Sequence, residues 1–225
     1  MRVLLLFALL LLGMGHGPAA AAETYELLFR STALKGLEAV PGNSEAGRST
    51  LVYDKVISGT NVGQTGGSFG IGLKIEPNDN VAMTLYQGTR SRGLGNYPAS
   101  VGNPVIMYFL ENVLADVAAQ SGGSPFYMRN RIKEALLRDA QVMPVSLHYE
   151  NRDIAAREVT IRPFTKDKAR ERMGRFAELA LAVTVSEDIP GWYYSLVATV
   201  PAAAGGAEAG YSNAITLKRA GEGRP

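Results

Sequence analysis

Apolar residues recur at three- and four-residue steps in the middle of the chain, and at two-residue steps through most of the rest. In the middle stretch Ile106, Phe109, Leu110, Val113, Leu114 and Val117 form one stripe, while Glu111, Asn112, Asp116 and Gln120 fall elsewhere. That spacing predicts an amphipathic helix. Asn103 is placed to accept the free amides of its first turn, and Pro104 stands where a missing donor costs nothing. Ser121, Gly122 and Gly123 then stop the helix, and Ser124 with Pro125 starts a second one. Its apolar positions are Met128, Ile132, Ala135 and Leu136, widened by Phe126, Tyr127 and Leu137. Arg129, Arg131, Lys133 and Arg138 form a basic remainder. A two-helix hairpin over about residues 104–139 is expected, and burial of its large side chains is worth roughly 10 kcal/mol before entropy.

Alternation predicts strands on both sides. Tyr25, Leu27 and Phe29 alternate with polar residues, and Leu51, Tyr53 and Ile57 share one side of a second strand. Phe69, Ile71, Leu73 and Ile75 turn through Glu76-Pro77-Asn78-Asp79-Asn80 into Val81, Met83 and Leu85, the clearest hairpin of the first half. Residues 88–100, rich in Gly, Arg and Ser, read as connecting chain. Beyond the helices, Val145, Leu147 and Tyr149 return through a polar turn at 151–153 to Val159 and Ile161, and 165–175 reads as a short charged surface helix. Leu179, Leu181, Val183 and Val185 pair through Ile189-Pro190-Gly191 with Trp192, Tyr194, Leu196, Ala198 and Val200, which leaves Tyr193 outside. Tyr211–Leu217 is a last strand. Surface turns or loops are expected at 41–43, 59–67 and 202–210. Eight or nine strands with short turns and no crossover helices define an α+β fold. It is a mainly antiparallel sheet or sandwich with the helical hairpin packed on it.

Composition changes this picture mainly at the N-terminus. Met1-Arg2, an apolar run from Val3 to Leu12 and four alanines at 19–22 have the form of a secretory signal peptide cleaved before Glu23. The run falls short of the roughly 20 residues a membrane span needs. Residues 23–225 are then a single domain with a disordered tail, exported to a bacterial periplasm or secreted. No second apolar stretch is long enough to cross a bilayer. The chain has no cysteine, so packing alone must stabilise it.

Charge and chemistry narrow the function less. The formal charge is +2, with 7 Lys and Arg against 9 Asp and Glu over 23–122, and 15 against 12 from 123 on. A generic polyanion binder is disfavoured, and export argues against nucleic acid. Gly66-Gly67-Ser68-Phe69-Gly70 matches the letters of a hydrolase nucleophile elbow, but a strand rather than a helix follows Ser68. His148 is the one histidine left after signal removal, on a polar strand face with Ser146 and Glu150, and is the weak candidate for catalysis. No cofactor is expected. A transition-metal site would gather several His or Cys ligands, and Glu76 with Asp79 is explained by a hairpin turn. Arg129, Arg131, Lys133 and Arg162 are the candidate ligand-binding residues, for an anionic envelope lipid or glycan or another envelope protein. The expectation is a non-catalytic, envelope-associated binding module, with a periplasmic hydrolase using His148 as the alternative.

Overall fold

The computed structural model describes residues 18–37, 49–59, 67–202 and 210–218. The turn expected at 41–43, nearly all of the loop at 59–67, most of the segment 202–210 and the C-terminal tail lie outside them. So does the apolar run of the signal-like segment.

Nine strands form one sheet in which every pairing is antiparallel. β1 (Leu51–Ser58), β2 (Gly67–Ile75), β3 (Asn80–Gln87) and β4 (Arg90–Pro98) make one meander, and β5 (Gln141–Tyr149), β6 (Arg152–Ile161), β7 (Ala180–Val185) and β8 (Tyr193–Val200) make another. β9 (Tyr211–Leu217) lies between β1 and β8 and joins the two halves, giving the order β4-β3-β2-β1-β9-β8-β7-β6-β5. The single sheet decides between the two architectures that the alternation allowed.

Chain leaving β4 at one edge of the sheet must reach β5 at the other. Two helices make that crossing, α2 (Val105–Ser121) and α3 (Pro125–Arg138), which follow an N-terminal helix α1 (Pro18–Leu28). Val105, Ile106, Phe109, Val113, Leu114 and Val117 of α2 are buried, as are Met128, Ile132, Ala135 and Leu136 of α3. The amphipathic pair is therefore seated on the sheet as its periodicity predicts, with α2 over β8 and α3 over β6. Gly122 closes α2 at φ 68°, a left-handed cap that glycine adopts without strain. Asn103 Oδ1 accepts the Val105 amide at 3.1 Å. Ser124 makes no side-chain cap, although its carbonyl accepts the Met128 amide.

Four expectations are corrected. Tyr25, Leu27 and Phe29 belong to a helix, α1 (Pro18–Leu28), rather than a strand. Thr24, Leu27 and Leu28 are its buried residues, a three- and four-residue spacing that the apparent alternation masked. Residues 88–100 are not a connector but contain β4, an exposed edge strand whose ladder to β3 outweighs its poor apolar pattern. Tyr193 points inward with Trp192, because an irregularity in the ladder matches Thr184 with Ser195 but Val185 with Tyr193. One extra residue moves the side chains before it to the other face. The charged segment 165–175 is not a continuous helix: 3-10 turns span Arg170–Glu178 and break at Gly174, with Met173, Phe176 and Ala177 buried.

Candidate functional site

The proline at 163 ends the β6 ladder, and the chain then folds back beneath α3. On α3, Tyr127, Arg131, Glu134 and Arg138 recur at three- and four-residue steps, so they share the flank that faces this segment. Between the two lies a cleft of about 760 Å³.

Asp167 organises one wall of the cleft. Its side chain is fully buried, and Oδ1 accepts both the Ala169 amide and the Tyr127 hydroxyl at 2.6 Å. That hydrogen bond raises the Tyr127 pKa, with a smaller contribution from burial. Arg131 Nε lies 3.9 Å from Asp167 Oδ2, and neither atom has a hydrogen-bond partner. The Arg131 guanidinium pairs with Glu134, which also takes Arg138 at 2.9 Å; Lys166 pairs with Asp139 at 2.7 Å. Five cations and three carboxylates line the cleft. Arg162 and Lys168 are exposed and pair with no carboxylate among the described residues.

Of the four basic residues that the sequence singles out, the fold brings Arg131 and Arg162 into this cleft. Arg129 instead holds Glu111 of α2 with contacts of 2.8–3.1 Å, and Lys133 is exposed outside the cleft lining. His148 sits on β5 at the sheet edge, opposite Asp153, with Nδ1 2.9 Å from Oδ1; the two side chains are 69% and 77% exposed. Ser68 is exposed on β2, within the strand rather than at a strand-to-helix turn.

A second polar cluster lies under α2, where the helix pattern predicts solvent. Lys55 is 3% exposed, and its Nζ donates to Asn112 Oδ1 at 2.8 Å and Tyr108 Oη at 3.1 Å. Burial lowers its pKa to about 8; the charge of Asp116 pulls the other way, and Arg92 adds to the lowering. Asp116 in turn accepts the Tyr211 hydroxyl at 2.7 Å and the Asn213 amide at 3.4 Å. The signal for this cluster was present in the strands. Lys55 follows Leu51 and Tyr53 at the inward parity of β1, and Asn213 stands between Tyr211 and Ile215 at the inward parity of β9.

No family model and no curated protein matches the chain. Among solved structures it is similar to the Mycobacterium tuberculosis lipoprotein LppX. The match has 8% identity and a TM-score of 0.36, over 93% of this chain and 99% of that one.

Proposed function

We propose that the chain is an exported bacterial binding module, associated with the cell envelope, that takes an anionic ligand in the cleft between α3 and the segment after β6. Arg162 and Lys168 carry this reading, since they stand in a cleft with their charges unmatched. Guanidinium and ammonium groups left in that state are suited to a phosphate or carboxylate. The signal-like N-terminus supports export, and among the described residues no helix is long and apolar enough to cross a membrane. Binding to phosphatidylglycerol vesicles and to an acidic polysaccharide, followed at low and high salt, tests it. Salt-sensitive binding that Arg162→Ala with Lys168→Ala weakens at least tenfold is expected. A flat response to both salt and substitution would remove the reading.

The hydrolase alternative has one feature in its favour, the Asp153 carboxylate that can orient the His148 ring. Turnover of ester, peptide or glycan substrates that disappears in His148→Ala would establish it over the binding module.

A further inference from the structure

The strand that the sequence hid, β4, carries two arginines onto the side of the sheet where the helices lie. Arg92 stands opposite Leu85, Leu85 opposite Ile71, and Ile71 opposite Tyr53, a single row across four strands. Arg90 stands opposite Gln87 on the same face, and Lys55 opposite Phe69 in the adjoining row. Three cations thus share one face of β1–β4. The carboxylates of this meander are elsewhere: Asp54 points the other way and pairs with Lys218 at 2.9 Å, while Glu76 and Asp79 belong to the turn at the far end of β2 and β3. Arg90 and Arg92 are exposed and pair with no carboxylate among the described residues.

The floor between these cations is apolar and half-open. Phe69 and Leu85 are partly buried against the core, and so is Tyr108, whose ring lies 4.7 Å from Lys55 Nζ. Burial is the main influence on Lys55 and Tyr108; Arg92 adds to the lowering at Lys55 and opposes the rise at Tyr108, while Asp116 of α2 acts on both in the opposite sense. Asp116 answers part of the Lys55 charge, but Arg90 and Arg92 remain as like charges beside exposed apolar surface, which oppose folding unless something compensates them. A free inorganic anion would answer the charge and leave the floor bare; a neutral apolar molecule would do the reverse.

We propose that the helix-side face of β1–β4 beside Tyr108 is a second binding site, for a small acidic amphiphile. Its carboxylate or phosphate is held by Arg90 and Arg92 with Lys55 behind them, and its apolar chain lies on Phe69 and Leu85. This site is independent of the α3 cleft.

Titration calorimetry on the processed protein with four probes tests the proposal: decanoate, decyl phosphate, decanol and inorganic phosphate. One or both acids should bind at least tenfold more tightly than decanol and than phosphate, and the preferred acid distinguishes a fatty-acid source from a phospholipid-derived one. Arg90→Gln with Arg92→Gln, at exposed positions, should lower that affinity at least tenfold without lowering the melting temperature of the ligand-free protein. Arg162→Ala with Lys168→Ala should leave it unchanged. Equal binding of decanol and decanoate, or indifference to the β4 pair, overturns the site. Loss of amphiphile binding in the Arg162/Lys168 variant instead assigns the ligand to the cleft and equally overturns it.

Discussion

Asn103 donates its Nδ2 to the hydroxyl of Tyr53 at 2.9 Å, and the same amide reaches the carbonyl of Gly191 at 2.8 Å. One side chain ahead of α2 thus ties the helix start to β1 and to the β7–β8 turn, and both asparagine and tyrosine are almost wholly buried. Burial also raises the Tyr53 pKa. Asn103→Ala would leave the Tyr53 hydroxyl and the Val105 amide without these partners in a dry site, while the Gly191 carbonyl keeps only the Tyr193 amide at 3.0 Å. A loss of about 3 kcal/mol in urea unfolding is expected, from roughly 1–3 kcal/mol per stranded group. A loss under about 0.5 kcal/mol would show that the clip is not stabilising.

The turn that receives Asn103 is itself constrained. Gly191 has φ 78°, and a Cβ there would sit 2.4 Å from Leu51 Cδ1 and 3.1 Å from both the Tyr53 hydroxyl and Asn103 Nδ2. Gly191→Ala should therefore destabilise by about 2 kcal/mol or more, from backbone strain and crowding together. Thermal melting checks it, with Gly88→Ala, where the space is open, as the milder comparison.

Trp192 and Tyr193 close the end of α1 from the opposite end of the sequence. The indole donates to the Leu27 carbonyl at 2.7 Å and the phenol to the Leu28 carbonyl at 2.5 Å, answering two acceptors that a helix terminus leaves unpaired. Arg30 adds a two-pronged contact to Glu187 at 2.5 and 3.0 Å and lies 4.1 Å over the indole. Trp192→Phe should cost about 1–2 kcal/mol and raise amide exchange selectively in α1. Uniform exchange across the sheet would contradict a local clamp.

Lys55 and the buried tyrosines give stability an unusual dependence on pH. The Lys55 amine is lowered from 10.5 to about 8 in the folded state, so between those values the unfolded chain holds a proton that the folded chain has lost. Stability therefore rises with pH across that window, by up to about 3 kcal/mol at 1.36 kcal/mol per unit. Tyr53, Tyr193 and Tyr211 act oppositely. Burial raises all three, so above about pH 10 the unfolded chain ionises them first and stability falls. Urea midpoints should peak near pH 10, and Lys55→Met should flatten the rise while leaving the alkaline fall. A rise of the same size in Lys55→Met would assign it to another group.

The expected cleavage point before Glu23 falls inside α1. A peptidase needs that backbone extended, so processing should precede the docking of α1. If the segment before it is a signal peptide, the processed protein begins at Glu23 by mass spectrometry. Folded precursor should resist a signal peptidase that cleaves the urea-unfolded precursor; equal rates would show that α1 does not guard the site.

Periodicity made the helical pair and most of the sheet legible, because apolar spacing agreed with glycine punctuation at Ile106 to Gly122 and with the Pro77-Asn78-Asp79 turn at Phe69 to Leu85. It failed where another force set the structure. β4 has no apolar repeat and exists through its hydrogen bonds to β3, so the pattern around Arg90 and Arg92 is that of connecting chain. The inversion at Tyr193 depends on a ladder irregularity that single-strand alternation does not encode. Of the candidate cleft, the basic flank of α3 was visible, but not that Pro163 turns Arg162 beneath it or that Asp167 is buried there. Lys55 and Asn213 stand at inward parity in β1 and β9, where the apolar neighbours dominate the pattern.

The central place of β9 has a consequence for biogenesis. The strand that joins the two halves of the sheet is the last of the nine in chain order, so neither β1 nor β8 has its inner neighbour until the other eight have been made. Without β9 the two meanders would each present an unpaired hydrogen-bonding edge in the middle of the molecule, the kind of edge that invites pairing with another chain.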